Sequence, residues 1–420
     1  MIETLASTTT IACSGCGFVP PRDAQPFRCP VAGKDKGDHV LTRRLGGVRP
    51  EPFLDSEPNP FVRYRQFTHA WHTAIAAGMS DAHFITLVRQ LDEKIAAVDG
   101  HGFRVTPFAS RPDGIWIKDE TGNVTGSHKG RHLMGIMIWL LVAERRNPWL
   151  AKQRLAIASC GNAALAAAVI AHAAGRPLDV FIPATASNTI VERLKALGAD
   201  VARCAREKSE FGDPSYLRFR EAVARGSLPF TCQGSENGLA IEGGETLGWE
   251  MVSQANAANI VIDRLFIQVG GGALASSCIA AFEEAHAAGV IPRLPKVHAV
   301  QTKAVHPLIR AYERVVARGG LKALQAAIEH RSDFMWPWES EPHSVAEGIL
   351  DDETYDWAAV VRGMLMTGGS PVLVSEQRLL EAQKKAGVPV SVTGASGLAG
   401  LIETGLPKGE NVAVIFSGRA

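Results

Sequence analysis

From about residue 155 to residue 300 the chain alternates short apolar runs with alanine-rich segments of helical length, and this alternation constrains the fold more than any other feature. A parallel strand buried on both faces is apolar throughout, and each parallel neighbour needs a helical crossover to bring the chain back to the same end of the sheet. The pattern predicts strands at Leu155 to Ala158, Leu178 to Ile182, Leu265 to Val269 and Val297 to Gln301. Helices are expected at Ala163 to Ala174, Thr189 to Leu197 (ended by Gly198) and Leu274 to Ala287, and a last buried strand at Val412 to Phe416. Upstream, helical patterning covers His69 to Val98 and a strand covers Gly114 to Lys118, whereas Arg310 to Pro342 shows no clear period. The first fifty residues lack helical or strand periodicity and read as an appendage.

With 420 residues and 46% hydrophobic content, the chain can bury a core of its own. A formal charge of +1 leaves no basic excess to follow a phosphate backbone, so small molecules are expected as partners and nucleic acid is not. There is no run of eighteen apolar residues and no leader-like start, so no membrane association and a cytoplasmic location are expected. Seven cysteines, an odd number without a dense framework, fit reduced thiols.

Chemistry concentrates in four places. In Lys118-Asp-Glu-Thr-Gly-Asn-Val-Thr-Gly-Ser127-His128-Lys129-Gly130-Arg131, a strand ends and Lys129 is delivered at the start of the next helix. The helix dipole and Arg131 would favour a neutral amine there, and a neutral amine can condense with an aldehyde. A lysine considered alone is most often a solvated surface residue. Ser159-Cys160-Gly161-Asn162-Ala163 follows an apolar strand and opens a helix, so its backbone N–H groups can cradle a carboxylate, or the turn simply places Asn162 as a capping group. Gly270-Gly271-Gly272-Ala273 also joins a strand to a helix and lets the backbone approach a phosphate closely; a plain tight turn is the other reading. It lacks the lysine and hydroxyl of a nucleoside triphosphate loop and the spacing of a dinucleotide loop. Ser417-Gly418 follows the last strand, where a neutral hydroxyl could face a pyridine nitrogen.

Taken in order, these four segments resemble the fold-type II pyridoxal phosphate enzymes, which include threonine synthase, threonine and serine dehydratases and cysteine synthase. The similarity to threonine synthase and its relatives extends to Asn59-Pro-Phe-Val-Arg63-Tyr64-Arg65, Thr106-Pro107, Ile241-Glu242-Gly243 with Thr246, and Ser344-Val-Ala-Glu-Gly348. The resemblance implies an α/β fold with two open, twisted, parallel-type sheets flanked by helices. It implies a larger domain over 51–140 and 235–420, a smaller one over 141–234, an extension over 1–50, and a homodimer. It further implies pyridoxal 5'-phosphate held in a Schiff base by Lys129, which also moves the α-proton. Asn162 would bond the phenolic oxygen, Gly270, Gly271, Gly272 and Ala273 the phosphate, and Ser417 the ring nitrogen. Ser159, Cys160, Gly161 and Ala163 would hold the substrate carboxylate.

The departures bear on substrate. His128 replaces the phenylalanine usual before the lysine, Gly130 replaces the aspartate usual after it in threonine synthases, and Ala240 stands where an arginine commonly helps hold a substrate phosphate. His128 reads either as a group reaching a substrate hydroxyl or as a ring packed under the helix. Cys160 reads either as an acid or base opposite the lysine or as a small side chain that fits. The expected reaction is α,β-elimination from a hydroxylated or otherwise β-activated amino acid, yielding a keto acid and ammonia. A replacement synthase, including the threonine synthase reaction, is the alternative. In the extension, Cys13, Cys16 and Cys29 with His39 as fourth donor form a candidate zinc site, against a metal-free vestige.

Overall fold

The run Val412–Phe416 is buried along its whole length and lies inside the larger sheet. In the computed structural model, which describes residues 8–21, 24–207 and 212–419, this sheet has six strands. Their order is Val372–Val374, Lys296–Thr302, Arg264–Gln268, Val412–Phe416, Trp116–Asp119 and Phe108–Ser110, all parallel except the last. The second sheet is parallel throughout, in the order Asp200–Cys204, Leu178–Pro183, Leu155–Ala158 and Leu228–Pro229. The strands expected from apolar runs are found within a residue or so of their expected limits. The expected helix over residues 69–98 is two helices, His69–Ala76 and Asp81–Asp99, because the chain turns at Gly78 (φ +84°) and restarts at Ser80, whose hydroxyl accepts the His83 N–H. The unassigned stretch Arg310 to Pro342 holds most of the helix Pro307–Ala317 and all of Leu321–Glu329.

Two long helices cross between the sheets, Lys129–Glu144 and Leu239–Ala257. They meet at glycines: a Cβ on Gly135 would stand 2.7 Å from the Cα of Gly243. This close approach seals a fully buried ionic cluster. Arg131 pairs with Glu120 and Glu250 at 2.7 Å each, and Lys118 pairs with Glu250 at 2.5 Å. Burial pushes the Lys118 amine below its ordinary range, opposed by the Glu250 charge.

The extension is packed in place. Strands Thr8–Cys13 and Leu41–Gly46 pair antiparallel, and Cys13, Phe27, Cys29 and Leu41 share one apolar core with the Lys129–Glu144 helix. Arg43 is buried among Glu242, Glu245 and Glu284. No helix among the described residues is long and apolar enough to cross a membrane.

Candidate active site

Four loops leave the carboxyl ends of parallel strands, where open α/β sheets bind ligands. The turn before Lys129 is tied to the end of the Val412–Phe416 strand: Ser127 bridges Gly418, and the His128 N–H donates to the Ser417 carbonyl at 3.0 Å. Lys129 is thereby fixed as the first residue of its helix. Among the described residues its amine has no hydrogen-bond or ion-pair partner. Its charge acts on Asp351, Asp356, Cys232 and His132, so it lies amid the converging loops. Arg131, expected to bear on this lysine as a free cation, is instead neutralised by Glu120 and Glu250.

The glycine turn is held from behind. The Thr354 hydroxyl donates to the Gly270 carbonyl at 2.9 Å, and the Asp356 N–H donates to the Gly271 carbonyl at 3.0 Å. With its carbonyls tied back, the turn presents its N–H groups on the other side, as an anion cradle does. Gly272 has φ +99°, which only glycine adopts without strain, and a Cβ on Gly271 would come within 2.8 Å of the Tyr355 ring. One N–H is already engaged, since the Asp351 carboxyl accepts from Gly271.

Ser417 meets the requirement of a neutral ring-nitrogen partner. Gln268 directs its amide NH2 to the Gly394 and Ile415 carbonyls at 3.0 and 3.3 Å, which settles the amide's orientation and points the same group at the Ser417 hydroxyl oxygen at 2.5 Å. A hydroxyl that receives from Gln268 keeps its own proton to donate to a pyridine nitrogen. The Asn162 amide nitrogen lies 3.2 Å from the position of a Cβ on Gly418, beside this group. A free amine, a glycine cradle and a donating hydroxyl in one cleft fit a phosphorylated pyridine aldehyde.

Asn162 begins the helix Asn162–Ala173, preceded by Gly161, and the Gly161 N–H reaches the Ser159 hydroxyl at 3.4 Å. Cys160 is exposed on the same lip, with Ala163 one turn further in. Packing by neighbours raises the Cys160 thiol pKa, and Asp213 and Glu347 raise it further, so at neutral pH the thiol holds a proton to donate. The His128 ring is buried, with Nδ1 3.0 Å from the Ser417 carbonyl and its edge against His132, and burial keeps it neutral.

Sequence reasoning missed Gln268 and the whole 351–356 segment. Asp351-Asp-Glu-Thr-Tyr-Asp356 drew no reading from the sequence, yet Asp356 is 4% exposed with one carboxyl oxygen unpartnered. Burial pushes Asp356 up to about 8, helped by Asp38 and opposed by the Gly234 N–H and by Lys129. Burial also pushes Asp351 up to about 6, against the attraction of Lys129. Between its ordinary value of about 4 and its folded value, Asp356 holds a proton in the folded chain that the unfolded chain has lost. Stability therefore falls as pH rises through that window, by up to ~1.4 kcal/mol per pH unit, and levels off above about pH 8. Asp356→Asn should reduce the drop in melting temperature of the coenzyme-free protein between pH 5 and pH 8; an unchanged drop in thermal melts contradicts this assignment.

In the extension, the donor atoms of Cys13, Cys16, Cys29 and His39 all lie within 4.8 Å of one another. Cys16 and Cys29 sulfurs are 3.7 Å apart, and His39 Nδ1 is 3.4 Å from Cys13 and 3.7 Å from Cys29. Tetrahedral zinc has sulfur–sulfur edges of about 3.8 Å and sulfur–nitrogen edges of about 3.6 Å, from its ordinary bond lengths. Asp35 holds the other ring nitrogen of His39 at 2.8 Å, the outer carboxylate that zinc-bound histidines commonly have.

The chain belongs to the pyridoxal-phosphate dependent enzyme family, whose model matches residues 102–418. Within that family it is similar to the threonine synthase of Methanocaldococcus jannaschii, 24% identical over 312 residues, covering 72% of this chain and 69% of the relative. It is also similar to the biosynthetic L-threonine dehydratase of Lactococcus lactis, 24% identical over 278 residues, covering 62% and 57%. Among solved structures, the threonine deaminase of T.th. superposes with a TM-score of 0.58 at 22% identity, over 79% of this chain and 97% of that one.

Proposed function

We propose that the protein is a pyridoxal-phosphate-dependent lyase that removes the β-substituent from a hydroxylated or otherwise β-activated amino acid and releases a keto acid and ammonia. The observation that carries this reading is the Lys129 amine, without a partner among the described residues and within electrostatic reach of Asp351 and Asp356 beside the glycine turn. Bound coenzyme supplies the electron withdrawal that makes the substrate Cα–H bond acidic. The protein does the rest. Gly270, Gly271, Gly272 and Ala273 hold the phosphate, Asn162 the phenolic oxygen, and Ser417 donates to the ring nitrogen. The N–H groups of Ser159 to Ala163 hold the substrate carboxylate, which orients Cα–H toward the Lys129 amine, the base that takes the proton. Relatives named as threonine dehydratase and L-serine dehydratase support elimination.

The cleft is also acidic. Asp213 and Glu347 act on Cys160, and Asp351 and Asp352 act on Tyr355. Ala240, where an arginine commonly helps hold a substrate phosphate, weighs against the reaction of the threonine synthase relative. A panel of serine, threonine and amino- or hydroxyl-substituted homologues, assayed for keto acid, should give turnover with at least one member. If none releases keto acid and a nucleophile-bearing product forms instead, replacement takes the place of elimination.

We also read Cys13, Cys16, Cys29 and His39 as ligands of one structural zinc ion, supported by three donor–donor distances close to the edges of tetrahedral zinc. A cytoplasmic location is supported by seven cysteines that form no disulfide with one another. The homodimer follows from the resemblance to fold-type II enzymes and is read by light scattering.

A further inference from the structure

We propose that the zinc knuckle braces the loop that backs the coenzyme's phosphate cradle, so that metal and coenzyme strengthen each other's binding. This inference rests on the zinc and coenzyme assignments above.

The connection is a short series of contacts. His39 is adjacent to Asp38, whose N–H donates to the Ile328 carbonyl at 2.8 Å, while the Arg331 N–H donates to the Lys36 carbonyl at 2.9 Å. The Arg331 side chain then joins two segments, reaching Asp38 at 3.2 Å and Glu353 at 3.0 Å. Glu353 directly precedes Thr354, which ties back the Gly270 carbonyl, and Asp356, which ties back the Gly271 carbonyl, follows two residues later. Arg331 is thus a positioning residue: it touches neither ligand and links the loop that carries His39 to the loop that backs the glycine turn.

A second set of contacts leaves the knuckle beside Cys29. The Phe27 carbonyl accepts the Gly238 N–H at 3.1 Å, and Arg28 pairs with Glu236 at 3.4 Å. Glu236 also accepts the Tyr216 hydroxyl at 2.6 Å, and the Tyr216 ring stacks toward Tyr355, with centroids 6.5 Å apart. The knuckle therefore reaches the 351–356 segment by two routes.

Between Cys29 and His39 the chain runs through turns with no strand or helix. Beside the Ile328 and Lys36 backbone links and two short turn bonds, the ligand cluster ties Cys29 to His39, next to Asp38. Loss of metal loosens the turn that carries Asp38, which weakens the anchor of Arg331 and Glu353 and loosens the back of the cradle. Linkage makes the effect reciprocal: the factor by which zinc tightens coenzyme is the factor by which coenzyme tightens zinc.

The test titrates pyridoxal phosphate into the full-length coenzyme-free chain and reads bound coenzyme by absorbance, with zinc measured on the same samples. Zinc-loaded parent should bind coenzyme about tenfold more tightly than chelator-stripped parent, within the usual range of site-to-site coupling. Cys16→Ser, at the exposed ligand, should behave like stripped parent. Arg331→Gln should keep its zinc, bind coenzyme weakly, and show no further loss on stripping. Equal affinity in loaded and stripped parent overturns the proposal, as does a parent that binds coenzyme and takes up no zinc. A parent that holds zinc and binds no coenzyme would instead overturn the coenzyme assignment itself.

Discussion

Lys129→Ala should lower turnover of the best amino acid substrate by about three orders of magnitude or more. Two roles are lost together, the amine that forms the imine with the coenzyme and the base that removes the α-proton, and proton transfer by a positioned group alone contributes about 10²–10⁴-fold. The fold should survive, because the Lys129 amine makes no hydrogen bond or ion pair among the described residues and its turn is secured by the backbone link to Ser417. Coenzyme should still enter the glycine cradle, held without a covalent bond, and exchange of the substrate α-proton with deuterated water should stop. Turnover within tenfold of the parent, measured as keto acid release, would remove Lys129 from the chemistry.

The largest expected effect on stability comes from Glu250→Gln. Glu250 accepts from both Arg131 and Lys118, all three side chains fully buried, with Glu120 as the other carboxylate. Removing its charge leaves two buried cations facing one carboxylate. Breaking a buried ion pair from one side costs about 3–5 kcal/mol, because the remaining charge has no water to turn to. Urea unfolding should show that loss at neutral pH, and a change below ~1 kcal/mol would mean that the cluster relaxes or admits water. Because Arg131 lies two residues after Lys129, the same variant should also weaken coenzyme retention.

The strands were legible wherever burial on both faces made them continuously apolar, as at Leu155–Ala158 and Val412–Phe416. The glycine turn, the Asn162 loop and the Ser417 terminus were legible because each breaks such a run at its carboxyl end. Periodicity failed where side chains from distant segments settle the structure. The Thr8–Cys13 and Leu41–Gly46 strands are far apart in sequence and bury Cys13 and Leu41 in a core shared with the Lys129–Glu144 helix, a partner that no local pattern reveals. The Pro307–Ala317 helix buries Leu308, Ile309, Ala311 and Val315 on one side, a helical period that was overlooked among its interleaved arginines, two of which pack over Trp336. Asp351 and Asp356 were missed for the opposite reason: carboxylates in a run suit a wet surface, and only the folded chain shows them against the cradle. Arg131 was noticed for its place near Lys129, but its partners Glu120 and Glu250 lie 11 and 119 residues away, where no local pattern reveals them.

The central claim is that one side chain of this protein carries the coenzyme. Purified protein incubated with pyridoxal phosphate, reduced with borohydride and digested should yield one phosphopyridoxyl-labelled peptide, modified at Lys129, with about one label per chain. Label spread over surface lysines, or an unlabelled Lys129 peptide at saturating coenzyme, would contradict the account.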